Sequence, residues 1–277
     1  MKIKECFTSR FDNGYLIEAD YSQLEVRMLA ILSGCPALVA DLIANVDIHR
    51  VLAAKLYHKH EDDVTAGERK LVKALTFQLQ YGAGPASMAK QWGISETTAK
   101  MFIDTYYARY PLVKVWQTHV TSTLEAGDLS GKDAAGYPCH YGTFQGMWDP
   151  ITFTIDSETY ARGKSKVESY SPTKMKNYPV QGAAAQLMLL VLDEMRRSFY
   201  ASDLRGLAVP INTVHDSIMF DSEESAMERV AIFVKKQMEA APLILQNFLG
   251  IDTLGVPFPV EVKVGANWGN MEVIMVD

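Results

Sequence analysis

The chain has 277 residues, 48% of them hydrophobic and 22% charged, and a net charge of −6, the profile of a folded globular chain of one large or two modest domains. No run of about 18 apolar residues is present, so a membrane-spanning helix is not expected, and MKIKECFTSRF lacks the apolar core of a signal peptide. The expected location is the cytoplasm, or the host cytoplasm for a viral source. Cys6, Cys35 and Cys139 are widely spaced with no CxxC pair, and read as free thiols in a reducing compartment rather than a disulfide or zinc framework.

In chain order, residues 15–20 (YLIEAD) read as a strand ending on Asp20, and 22–33 (SQLEVRMLAILS) as a helix stopped by Gly34. Asp47 is placed to cap a helix through DIHRVLAAKLY. Thr65 and Glu68 form a capping box opening a helix over 66–80, which Tyr81-Gly82-Ala83-Gly84-Pro85 breaks. Ser95 starts the next helix, which ends near Pro111, and a further helix follows. Residues 127–175 are rich in Gly, Thr, Tyr and Ser, with short alternating runs such as ITFTID, and predict hairpins and loops. An apolar helix is predicted over 180–200. INTVHDSIMFD then reads as strand–turn–strand, followed by a helix near 224–248 and a final strand in FPVEVKVG. The expected class is α+β, with strands toward both ends of the chain and a helical block between residues 47 and 120.

Three features carry chemistry. Asp20 and Asp216 each sit at a strand end, where adjacent carboxylates can bridge two divalent ions suited to phosphoryl transfer. Alone, a strand-end Asp is more often a turn residue or a cap. Arg69, Lys73, Phe77 and Tyr81 recur every four residues, and each step advances only about 40° around a helix, so they share one broad face. Two cations followed by two aromatics suit a nucleoside triphosphate; a partly buried helix with exposed cations is the plainer alternative. Finally, residues 162–176 (RGKSKVESYSPTKMK) hold five cations, Arg162, Lys164, Lys166, Lys174 and Lys176, against one acid, Glu168. This stretch reads as a loop, either simply solvated or in contact with phosphates. The acidic total argues against nucleic acid, but local charge decides such contacts.

These segments resemble family A DNA polymerases, the DNA polymerase I type. DYSQLEVR at 20–27 resembles the family's first signature, and ERKLVKALTFQLQYG at 68–82 its second. NYPVQGAAAQ at 177–186 is similar to the segment before the third signature, and VHDS at 214–217 to the third itself. DIHRVLAAKLY and RYPLVK also look like family sequence. The matches occur in the family's order over nearly the whole chain.

The resemblance implies a template-directed DNA polymerase acting on dNTPs and primer–template DNA. Its fold would be an antiparallel-sheet palm carrying the catalytic aspartates and a mainly helical fingers subdomain. Palm would take residues 1–46 and 121–277, with a hairpin and loop insertion at about 127–175, and fingers 47–120. Asp20 and Asp216, with the Tyr21 carbonyl, would hold two Mg2+ ions, for which Mn2+ could substitute. His49, Arg69 and Lys73 would contact the triphosphate, and Lys73 could protonate the leaving pyrophosphate. Phe77 would lie against the deoxyribose and Tyr81 near the templating base. Asn177, Gln181 and His215 would contact primer–template DNA, joined by the basic stretch at 162–176. Glu25 completes a possible capping box with Ser22, while the matching family glutamate blocks a ribose 2′-hydroxyl; the two roles are compatible.

The sequence also departs from the family. Gln78 stands where Gly follows Phe, Ser217 stands where Glu follows Asp, and 127–160 does not match the family's short hairpin. The run SPTKMKNYPVQG resembles phage-encoded members more than bacterial ones. Few residues precede the first signature, where the family carries an exonuclease-like domain, a thumb and an Arg-bearing palm segment. The expectation is a palm-and-fingers portion without thumb or exonuclease domain: either a piece cut from a longer polymerase or, the favoured reading, one half of a split polymerase whose separate partner polypeptide supplies the thumb and N-terminal palm. A single-subunit RNA polymerase fragment is one alternative, opposed by Glu25 and Phe77. A reverse transcriptase would show paired aspartates in place of HDS. A catalytically silent DNA-binding or assembly subunit is opposed by retention of both aspartates.

Overall fold

The computed structural model describes residues 3–125, 144–145, 152–153, 158–162, 165–169 and 172–276, with side chains outside 123–172. The elements run β1 (Tyr15–Tyr21), α1 (Leu24–Ser33), α2 (Pro36–Ile43), α3 (Ile48–Tyr57), α4 (Ala66–Gln80), α5 (Pro85–Trp92), α6 (Glu96–Arg109) and α7 (Pro111–Glu125). The short strands β2 (Phe144–Gln145), β3 (Thr152–Phe153), β4 (Glu158–Arg162) and β5 (Ser165–Ser169) follow. Then come α8 (Pro172–Tyr200), β6 (Ala208–Val214), β7 (Ser217–Ser222), α9 (Met227–Glu239), α10 (Ala241–Leu249), β8 (Val260–Gly265) and β9 (Glu272–Ile274). The chain divides by its own contacts into two units, Met1–Arg27 with Ala184–Asp277, and Met28–Ala183.

The first unit is built on a five-stranded antiparallel sheet, ordered β6-β7-β1-β8-β9. Strand side chains alternate between faces, and β1 uses both. Ile17, Ala19 and Tyr21 point to one face. Their register partners include Phe220, Ile218, Val264, Val262 and Val260, all buried. Helix α9 packs on β1, β7 and β8 and contributes the buried Val230, Ala231, Val234 and Met238. The Tyr21 hydroxyl donates to the Met238 carbonyl at 2.6 Å, so its one polar atom is satisfied inside this core. Phe199 of α8 packs edge-on against Phe220, with ring centroids 5.3 Å apart. Glu18 and Asp20 point to the opposite face, so one side of the sheet is apolar and the other carries charge beside the buried Leu16 and Met219.

The second unit is helical, with the hairpins β2–β3 and β4–β5 inserted after α7. Its helix starts follow local chemistry. Asp47 accepts from the Arg50 amide at 3.1 Å, Thr65 and Glu68 close a reciprocal capping box, and Ser95 caps α6. Arg109 and Tyr110 both bond Asp41, tying the end of α6 to α2.

Four expectations need correction. Residues 162–176 are not one loop: Arg162 ends β4, Lys166 lies in β5, and Lys174 and Lys176 lie in α8. Lys164 is outside the described residues. Helix α8 begins at Pro172 rather than near 180, and carries Pro179 inside it. An interior proline loses a backbone donor and crowds the preceding turn, so a reading from sequence starts the helix after it. Pro172 instead opens the helix, where its missing N–H costs nothing. The helix near 224–248 is two helices divided at Ala240, with Pro242 in the first turn of the second. Helix α1 begins at Leu24 after Gln23, whose φ is +57°. This moves the start past the register that a Ser22–Glu25 capping box requires. Of the cysteines, Cys6 is exposed and Cys35 buried, both as free thiols, and Cys139 lies outside the described residues.

Candidate active site

Strand pairing brings the two aspartates together. β1 lies between β7 and β8, and Asp20 is opposite Ser217 on one side and Glu261 on the other. Asp216 is the second residue of the two-residue turn between β6 and β7. The first, His215, is exposed and has φ +56°, the left-handed backbone that tight hairpin turns demand. The Asp216 carbonyl accepts from the Tyr21 amide at 3.2 Å, and Ser217 Oγ donates to the Val214 carbonyl at 3.0 Å, pinning the turn.

The electrostatics follow from this closeness. Burial comes first, and then the charge of Asp216 and a side-chain hydrogen bond with it; together they push the Asp20 carboxyl up to about 6. Lys263 pulls it back, and Glu18 adds to the push. Two carboxylates this close strain to stay ionised together, the condition a divalent cation relieves. Among the described residues no group of three or more His, Cys, Asp or Glu side chains forms a metal cage. A carboxylate pair still suits Mg2+, which keeps water and substrate phosphates in most of its coordination shell. The donor set therefore fits such an ion.

Sequence reasoning missed the surroundings of this pair. Glu18 shares the charged face with Asp20, and its Oε1 accepts from Trp268 Nε1 at 3.0 Å. Lys263 sits opposite Glu18 and bonds Glu261 at 2.8 Å. The signal was present as charges two apart in YLIEAD and VEVK, but only strand register shows that they share a face.

In the helical unit, α4 buries Val72, Leu75, Thr76, Leu79 and Gln80 and presents its other side outward. Arg69, Phe77 and Tyr81 are half-exposed there and Lys73 is exposed. Lys73 Nζ lies 5.9 Å from the Phe77 ring centroid. Arg69 Nε donates to Asp47 Oδ2 at 2.6 Å, so the capping residue of α3 also holds a cation of α4. Burial tends to raise the Asp47 carboxyl, but the bonds from Arg69 and the Arg50 amide, with nearby positive charge, carry it below its ordinary value.

His49 of α3 is buried, its ring 6.2 Å from that of Phe77, and neither ring nitrogen has a hydrogen-bond partner. Burial first, and then Lys73 and Arg69 against the opposing pull of Asp47, push it down to about 4, leaving it neutral at pH 7. Buried polar atoms are rarely left unpaired, and a buried imidazole beside two cations is suited to an anionic ligand.

On α8, Lys174, Asn177 and Gln181 fall at i, i+3 and i+7, one face of the helix. Lys176 is half-buried, and burial lowers its pKa. Glu25 lies in the first turn of α1. The side chains of Arg162 and Lys166 are outside those described.

The sequence matches the model of "DNA polymerase family A" over residues 1–270. The chain belongs to DNA polymerase family A. This family A chain is 30% identical to the DNA polymerase I of Synechocystis sp. over 265 residues, covering 91% of the chain and 24% of that relative. It is 30% identical to the DNA polymerase I of Caldicellulosiruptor bescii, covering 91% and 26%. It is 26% identical to that of Lactococcus lactis, covering 96% and 27%. The chain thus spans about a quarter of the length of these relatives. A solved structure described as the "POL domain of Pol1 from M. smegmatis complex with DNA primer-template and dNTP" shares the fold at a TM-score of 0.69 and 22% identity, covering 96% of this chain and 42% of that one. No helix among the described residues is long and apolar enough to cross a membrane.

Proposed function

We propose that this family A chain catalyses template-directed transfer of a deoxynucleotide to a primer 3′-hydroxyl. The observation that carries the reading is the meeting of Asp20 and Asp216 at the charged face of the sheet. Asp20, Asp216 and the Tyr21 carbonyl would hold two divalent ions, Mg2+ or in its place Mn2+. When bound, the ions supply a lowered pKa for the attacking hydroxyl and charge neutralisation for the phosphates. Arg69, Lys73 and neutral His49 would bind the triphosphate, Lys73 giving a proton to the departing pyrophosphate. Phe77 would support the sugar and Tyr81 the templating base. Asn177, Gln181 and His215 would touch primer–template DNA, with Lys174 and Lys176 and the strand residues Arg162 and Lys166 on its phosphates. Minor-groove acceptors are nearly sequence-independent, so such contacts test pair shape. In this reading residues 1–46 and 121–277 act as palm and 47–120 as fingers.

The assay is primer extension with Mg2+, offering deoxynucleotides and ribonucleotides separately. Extension with deoxynucleotides alone is expected; a chain that extends only with ribonucleotides, or with neither under any condition below, would overturn the reading.

Two substitutions test the sugar contacts. Glu25→Ala is expected to raise ribonucleotide incorporation roughly a hundredfold by removing the side chain that meets the 2′-hydroxyl; an unchanged ratio would remove Glu25 from that role. Phe77→Tyr adds one hydroxyl beside the sugar. It should increase dideoxynucleotide use about tenfold, the worth of one hydrogen bond. Unaltered chain termination would displace Phe77 from the sugar.

A separate polypeptide carrying thumb and N-terminal palm would complete the enzyme. Support comes from the first unit, where Ile3, Phe7, Ile211, Val273 and Met275 are exposed and β6 and β9 end the sheet among the described residues. The lone chain should extend a primer weakly and dissociate quickly, and adding such a partner should restore long products. Full processivity without it would refute this dependence.

A further inference from the structure

The largest fully buried side chain among the described residues carries a charge. Arg27, in α1, is only 2% exposed. Burial pushes its pKa down to about 10, and no carboxylate among the described residues acts on it in return. The guanidinium is therefore still cationic at pH 7. Its partners are two backbone carbonyls: Nε donates to the Ser22 carbonyl at 2.7 Å, and Nη1 to that of Pro257, 230 residues away, at 2.6 Å. Taking a cation out of water is costly. An apolar side chain of similar length would fill the space without that cost, so packing does not account for the charge. What the guanidinium adds is a rigid fork that spans two acceptors at once.

Both acceptors belong to segments that enter the site. Ser22 follows β1 directly, and Pro257 lies just before β8, the strand paired with β1. The Tyr21 amide donates to the Asp216 carbonyl at 3.2 Å, toward β7, and the Ser22 amide to the Pro259 carbonyl at 2.9 Å, toward β8. In an extended strand the N–H and C=O of one residue point to the same side. The Tyr21 carbonyl is thus directed at the turn that holds Asp216, and among the described residues no bond returns to it from the Asp216 amide. Gln23 then leaves the strand with φ +57°, a conformation disfavoured for a residue with a Cβ. Past that point the strand ladder no longer holds the chain. Arg27 takes over: its side chain holds the Ser22 carbonyl, and its amide holds that of Gln23 at 3.2 Å.

We propose that Arg27 is a positioning residue for the metal-binding backbone, clamping the end of β1 to the approach of β8 so that Asp20 and the Tyr21 carbonyl are held toward Asp216. The proposal rests on the reading of these groups as ligands of divalent ions in a polymerase. Arg27 itself touches neither ion nor substrate.

The test is Mn2+ binding to the full chain, followed by electron paramagnetic resonance, beside the Mg2+ dependence of primer extension. Arg27→Met is expected to weaken Mn2+ binding roughly tenfold, the lower end of the range for losing a group that orients metal ligands. The Mg2+ needed for half-maximal extension should rise by about the same factor, with turnover recovering at saturating Mg2+. A merely structural role would lower turnover at every Mg2+ concentration and leave the Mn2+ affinity of the folded chain unaltered, and that result would overturn the proposal. Asp20→Asn must abolish the Mn2+ signal; a signal that survives, or its absence from the unaltered chain, would also overturn it. Arg27→Lys keeps the charge, but a single ammonium is not a fork, so it should recover only part of the affinity. Full recovery would overturn the clamp, because charge alone would then suffice. Thermal melting reports whether Arg27→Met is folded; if it is not, Arg27→Lys decides, weakened Mn2+ binding supporting the clamp and unaltered binding overturning it. A chain that shows these metal effects yet extends no primer keeps the clamp and loses the polymerase reading. A chain that extends primers while Arg27→Met keeps its Mn2+ affinity loses the clamp and keeps the polymerase reading.

Discussion

Asp216→Asn is expected to lower primer extension about a thousandfold without unfolding the protein. Charge stabilisation by a bound metal ion contributes several kcal/mol to a transition state, and about 4 kcal/mol corresponds to about a thousandfold in rate. Asparagine keeps the size of the side chain and the turn that Ser217 pins, but surrenders the charge that would hold the ion. Asp20→Asn should behave alike. A loss below tenfold for both would sever the pair from catalysis.

The same substitution has a readout in metal-free protein. The Asp20 carboxyl titrates near 6 in the fold against an ordinary value of 3.8, the burial and the Asp216 charge both acting upward. Between these values the native state holds the extra proton, so stability falls as pH rises from about 4 to about 6 and is level above that. Asp216→Asn removes the like charge but not the burial. In EDTA, the fall in melting temperature across that window should shrink, and Asp20 should titrate lower. An unchanged pH profile would show that the two carboxylates do not interact.

Lys73→Ala should reduce turnover by on the order of a hundredfold or more, the range for a lost proton donor, and raise the KM for deoxynucleotides. Lys73→Arg separates the two roles. Arginine restores the charge for the phosphates but releases a proton poorly, so KM should recover while kcat stays low. Recovery of both would reduce Lys73 to a phosphate contact. An independent check needs no substrate. Lys73 is one of the charges that depress His49, so in Lys73→Ala the His49 ring should titrate above its value of about 4. Its proton resonances would report this directly. In the unaltered chain His49 also has a stability signature. The native state resists protonation that the unfolded chain accepts near 6.5, so the stability contributed by the neutral ring is lost as pH falls from about 6.5 toward 4.

Local chemistry was legible at several helix starts and turns, though the Ser22–Glu25 cap was misread. The caps at Asp47, Thr65 and Ser95 and the tight turn at His215-Asp216 depend on contacts within a few residues. The outward face of α4 followed from spacing alone, because helical geometry is the same everywhere. Family membership could also be read from the order of the motifs. The start of α8 was misread because an interior proline is tolerated there, against the local rule.

What only tertiary structure decided is which distant groups meet. Asp20 meets Asp216 because β1 pairs with β7 beside the turn that holds Asp216, and Glu18 faces Lys263 because β1 pairs with β8. Arg69 is held by Asp47 because α3 packs on α4. The upward shift of Asp20 and the downward shift of His49 arise from burial and from charges brought close by folding. Burial and proximity are properties of the assembled core, and neither has a pattern along the chain.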